Sequence, residues 1–155
     1  MRKRIMQVAA GILIVFAAIQ LVRPERTDLP IDPGRAIQAQ QEITPQLVTV
    51  LERACNNCHS NRSVWPSYTA IAPLSWLVAR GVTLGRQALN FSEWASYSPD
   101  QRQALLALSC KDVKEGRMPM SAYTVMYPEA KLSAQDIEVV CTASPTSRAA
   151  ESGTR

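Results

Sequence analysis

Cys55-Asn56-Asn57-Cys58-His59 is the stretch on which the reading of this chain turns. Two thiols three residues apart, with an imidazole directly after them, match the needs of covalent haem attachment. The thiols add to the two porphyrin vinyl groups, and the adjacent histidine is then held beneath the iron as its proximal ligand. Two other uses of such a pattern fit poorly. A redox Cys-x-x-Cys follows a strand in a βαβ unit, and no such unit is visible. A zinc site wants spaced ligands, whereas Cys58 and His59 are neighbours. The expected cofactor is one haem c. Cys55 and Cys58 would hold it by thioethers, and His59 would be its iron ligand.

His59 is the single histidine of the chain. Two histidine ligands from one chain are therefore impossible, and the distal position falls to a weaker ligand or stays open. Met118 is the leading candidate, in a loop and followed by Pro119, which stiffens it. A methionine thioether suits low-spin haem iron, and His/Met ligation raises the reduction potential. Met120, Met126 and an open site remain as alternatives.

Working outward, the pattern is all-α. Thr44 and Pro45 read as the N-cap and first position of a helix. Leu47, Val48, Leu51, Ala54 and Cys55 share one of its faces, so the helix runs into the cysteine motif. Residues 60–72 are turn-rich. Pro73 opens a second helix running to about Leu89. Gly81 and Gly85 sit four apart on it, which predicts a close approach by another surface. Ser98-Pro99-Asp100-Gln101 is a capping box for a third helix, ending near Glu115 with Gly116 after it. Residues 116–132 read as a loop. Ser133 to Asp136 starts a last helix, with Leu132 and Ile137 placed as a hydrophobic staple. Cys110 and Cys141 flank the methionine loop on predicted helices. A disulfide between them would close a loop of about 30 residues and add roughly 3 kcal/mol; two separate buried thiols are the alternative.

The N-terminus has a different character. Arg2-Lys3-Arg4 precedes an uncharged stretch from Ile5 to Val22. At 1.5 Å per residue that stretch reaches roughly 27 Å, close to the hydrocarbon thickness of a bilayer. It ends without small residues, so it reads as an uncleaved anchor rather than a signal peptide. The leading cations put the N-terminus in the cytoplasm. The expectation is a single-pass anchor in the bacterial inner membrane, with the haem domain in the periplasm. Residues 1–22 are then the anchor, 23–43 a Pro-rich tether, 44–143 the haem domain and 144–155 a small, polar, disordered tail.

Charge excludes a nucleic-acid partner. The net charge is +4, but residues 1–26 hold five basic groups against one acidic group, leaving twelve of each beyond them. No basic patch is concentrated there. Trp65, Trp76 and Trp94 read as packing residues around the porphyrin. Arg62 and Arg86 are candidates for its propionates.

These residues together resemble the bacterial haem-binding domain family. The resemblance is carried by Cys55 to Asn61, Trp65-Pro66, Tyr68, Ile71-Ala72-Pro73, Ser75 to Val78, Gly85-Arg86 and Asn90 to Trp94. Gly116-Arg117-Met118-Pro119, Tyr123, Pro128-Glu129-Ala130 and Leu132-Ser133 extend it. It implies a small anchored c-type haem domain. Where members of that family often carry histidine, this chain has Tyr127 before Pro128, which shifts weight to Met118 or a vacant site. The function expected is one-electron transfer between periplasmic redox partners by a compact domain similar to class I cytochromes. A five-coordinate haem sensor or peroxidase-like enzyme is the first alternative, and a haem-free Cys55/Cys58 thiol-redox module the second.

Overall fold

In a computed structural model, residues 1–143 are described, and the expected disordered tail lies outside them. The described residues are helical, with no strand among them. Seven α-helices follow in order: α1 (Arg2–Ile19), α2 (Pro45–Ala54), α3 (Asn56–His59), α4 (Leu74–Ala88), α5 (Pro99–Lys114), α6 (Ser121–Met126) and α7 (Ala134–Thr142). Short 3-10 turns join them.

Local chemistry places most of these helices. Thr44 accepts the Leu47 N–H ahead of Pro45 and starts α2. Ser98 and Gln101 close a reciprocal capping box on α5, and Ser133 and Asp136 do the same on α7. Each satisfies N–H groups that a helix start leaves without partners. Gly116, at φ +66°, turns the chain away after α5 in the left-handed conformation that glycine adopts without strain. The short α6 lies where a loop was expected.

The core lies between α2, α5 and α7. Leu47, Val50 and Leu51 meet Val113, Val140 and Cys141, with Leu89, Phe91 and Trp94 closing one end. Leu132 and Ile137 pack against this cluster as a staple would. Cys110 and Cys141 are joined by a disulfide, S–S 1.99 Å, which ties α5 to α7.

Two expectations about the N-terminal region are corrected. No helix among the described residues is long and apolar enough to cross a membrane. Helix α1 spends its first turn on Arg2, Lys3 and Arg4 and ends at Ile19. Residues 5–19 would span roughly 22 Å, short of a hydrocarbon core of about 30 Å. The apolar run expected to continue to Val22 is diverted. Gln20 donates to the Ala72 carbonyl (3.3 Å) and accepts the Ala72 N–H (2.9 Å), while Trp76 Nε1 donates to the Val22 carbonyl (2.7 Å). The single-pass anchor falls with this finding, and so does the inner-membrane and periplasmic placement drawn from it.

The second correction concerns residues 23–43, expected to be a tether. They are docked along much of their length. Arg26 donates to the Thr69 carbonyl and lies over the Trp65 ring. Arg86 reaches the Thr27 carbonyl and Asp28. Ala36 and Ile37 are each only 1% exposed. Proline and glutamine content hid two residues that belong to the core. Ile37→Ala should therefore destabilise the protein by about 2–5 kcal/mol, as for other large-to-small core changes. A flexible tether would register no change in a denaturant titration.

Candidate functional site

The Cys55–His59 stretch forms one helical turn. Helix α2 breaks at Cys55 (φ −124°, ψ −37°), and α3 begins directly after it. The Cys58 and His59 N–H groups both donate to the Cys55 carbonyl, at 3.1 and 3.0 Å. Residues three and four apart on a helical turn share a face. Cys55, Cys58 and His59 accordingly line the same cleft.

That cleft has a volume of about 360 Å³, and its walls are mainly apolar. Leu51 and Ala54 continue the wall of the Cys55–His59 turn. Gly81, Leu84 and Gly85 of α4 form a second, and Leu105, Leu108 and Val113 of α5 a third. Met118 and Met120 both line it too, and each is partly exposed, at 39% and 45%. Met126, Tyr127, Arg62 and all three tryptophans lie outside its lining.

Helix α4 lies unusually close to the Cys55–His59 turn. A Cβ at Gly85 would sit 2.5 Å from the Cys58 carbonyl oxygen. Only a residue without a side chain permits that approach. At Gly81 a Cβ would meet only the end of the Met120 side chain, at 3.9 Å. The close approach expected from the two glycines is thus made at Gly85.

His59 is aimed from behind. The chain leaves α4 at Leu89 (φ −160°, ψ 127°), and the Leu89 carbonyl lies 3.0 Å from His59 Nδ1. A carbonyl only accepts, so Nδ1 carries the proton and Nε2 keeps its lone pair. Burial lowers the imidazole pKa below its ordinary value, against the opposing pull of that carbonyl. The ring is therefore a neutral, oriented donor, as a metal-binding histidine must be.

The turn after His59 is fixed by Asn61, which is 1% exposed. Its amide donates to the Pro30 carbonyl (2.9 Å) and to Glu93 (3.2 Å), and its oxygen accepts from Asn90 (2.6 Å). Its backbone N–H donates to Ser92 (3.0 Å). This network holds the 90–92 segment beside the motif, and with it the Leu89 carbonyl.

A model of a family described as "Haem-binding domain" matches residues 14–143. The chain belongs to that haem-binding domain family. No curated protein and no solved structure matches it. The residues present fit haem: an apolar cleft carries two thiols and a neutral imidazole on one turn, with thioethers elsewhere on its lining. The expectation of Arg86 at the haem propionates is not met. Its guanidinium is taken up by the Ser60 carbonyl (2.7 Å), the Thr27 carbonyl (2.7 Å), Ser63 Oγ (3.1 Å) and Asp28. Arg86 clamps the N-terminal segment to the outside of the motif instead.

The thiols are not activated. Burial, with the neighbouring Cys58 next, pushes the Cys55 thiol up to about 12, and burial likewise raises Cys58. Redox-active Cys-x-x-Cys pairs depend on a lowered thiol pKa, so dithiol cycling is the poorer use of this pair.

Nothing in the sequence points to the Leu89 carbonyl, a backbone group whose role is set by where α4 stops. Asn61 is a second residue whose role escaped. Its amide so near the motif, with Asn90 and Ser92 to pair with, was the available signal. Gly85→Ala should force α3 and α4 apart and lower the haem-to-protein absorbance ratio of purified protein severalfold. Gly81→Ala should leave it near wild type. Equal ratios in the two variants would show that the Gly85 contact does not shape the cleft.

Proposed function

We propose that the haem-binding domain attaches one haem covalently through Cys55 and Cys58 and uses it for one-electron transfer. Haem so bound supplies an iron that takes up and returns a single electron. The observation that carries this reading is that both thiols and the imidazole face one apolar cleft from a single helical turn, with Met118 on the same lining.

In this reading Cys55 and Cys58 would hold the haem as thioethers, each thiol adding its sulfur and its hydrogen across one vinyl group, so no oxidant would be consumed. Desolvation keeps both thiols protonated and so keeps that hydrogen on sulfur. His59 would bind the iron through Nε2, with its tautomer and ring orientation held by the Leu89 carbonyl. Met118 would supply the second ligand, a soft thioether that favours the ferrous state and raises the potential. Apolar side chains from α2, α4 and α5 exclude water, which limits the reorganisation that accompanies each electron.

Reduced protein in alkaline pyridine should show the spectrum of a haem with both vinyl groups saturated. Cys55→Ala and Cys58→Ala should each shift that spectrum toward one retaining a free vinyl. A wild-type spectrum with both vinyls intact removes covalent attachment. Met118→Ala should convert low-spin to high-spin iron; an unchanged visible spectrum in that variant removes Met118 as the ligand.

A further inference from the structure

The Met118–Met120 arc is held at both ends. At the near end, the Arg117 and Met118 N–H groups both donate to the Asp112 carbonyl, at 2.9 and 3.3 Å. The Arg117 guanidinium also binds the Asp112 carboxylate, with Nε at 2.9 Å. This pins the start of the arc to the last turn of α5.

The far end is α6, and its hold is of another kind. None of its residues is buried, and no side chain caps its start. Tyr123 is its contribution to the cleft lining. The Tyr123 hydroxyl accepts a hydrogen bond of 2.8 Å from Asn57 Nδ2. Asn57 is one of the two residues between the attachment cysteines. Its amide cannot turn over freely, because its oxygen accepts the Val64 N–H at 3.1 Å. The Tyr123 ring is braced on its other side by Tyr127, centroids 4.8 Å apart. One hydrogen bond therefore joins the methionine arc to the turn that carries the two thiols.

We propose that the Asn57–Tyr123 hydrogen bond is a latch controlling how readily the methionine arc opens away from the haem face, which makes both side chains positioning residues for the distal ligand. This rests on the reading that haem lies between His59 and Met118. The arc cannot swing outward while Tyr123 stays bonded to α3. An opening motion must break that bond, and the open population follows its strength. A neutral hydrogen bond of ordinary net worth changes such a population roughly three- to tenfold. Because α6 buries no residue, removing one hydroxyl there leaves the core intact.

The test uses the full chain with haem attached, in the ferric state, with imidazole as the incoming probe. The binding rate is followed by stopped flow at low imidazole. Tyr123→Phe should raise that rate roughly three- to tenfold with little change in Tm. Asn57→Ala should raise it at least as much, and the double variant should be no faster than Asn57→Ala alone. A Tyr123→Phe rate equal to wild type overturns the latch, as does a double variant whose acceleration is the product of the two single effects. The same comparison in a Met118→Ala background separates this inference from the ligand assignment. If Met118→Ala leaves the spectrum unchanged, the assignment of Met118 fails on its own. The Tyr123→Phe rates still decide the latch, because they report access past the arc whichever group faces the iron.

Discussion

The contact of α4 with the Cys55–His59 turn is the constraint on which the rest of the site depends. The missing side chain at Gly85 lets the two backbones meet at a distance no other residue permits. From that one approach, three consequences follow. The thiols face inward beneath α4. The end of α4 at Leu89 comes within hydrogen-bond range of His59 Nδ1. The segment that follows then brings Phe91 to within 6.1 Å of the imidazole, ring centre to ring centre. A histidine is a good haem ligand only when its free nitrogen is aimed and uncharged. Here the aim comes from a backbone carbonyl and the neutrality from burial.

Around that contact the domain is assembled in two parts. The helical part, α2 with α5 and α7, forms the core and is tied by the Cys110–Cys141 disulfide. The part outside the motif is built from the N-terminal segment, bound through Arg86, Asn61 and Gln20. These are polar attachments, and Ala36, Ile37 and Ile43 add apolar contact with the core. Holding the polar groups of Arg86, Asn61 and Gln20 away from water is tolerable because each of these three finds partners. The price is specificity of a demanding kind, since losing one partner strands the other.

What was legible in the sequence was local. Thr44-Pro45, the Ser98 and Ser133 boxes, the Leu132–Ile137 staple and the turn at Gly116 each act within four or five residues, and the structure has all of them. The Cys-x-x-Cys-His turn was legible because its chemistry demands one spacing. What escaped was non-local. Nothing near Gln20 indicates that Ala72 will capture it and end α1, so the apolar count alone suggested a longer helix. Nothing near Ile37 separates a core residue from a linker residue. Arg86 was a reasonable partner for a propionate by charge, but its neighbours in space are Ser60, Thr27 and Ser63. Asn57 is one of the two variable positions of its motif, and its partner Tyr123 lies 66 residues away.

The clamp made by Arg86 bears on the order in which the chain can assemble. It joins α4 to Thr27 across 59 residues, and Asn61 joins the motif to Pro30 across 31. Closing such separations costs chain entropy before any contact repays it. During synthesis the first forty residues emerge well before the partners that will hold them. The outer cover of the Cys55–His59 turn is thus late to settle, whereas α2 runs directly into that turn and needs no distant partner to begin. The two thiols are presented on a young helix whose outer side is still open, and the strap that later shields them comes from a segment made before that helix.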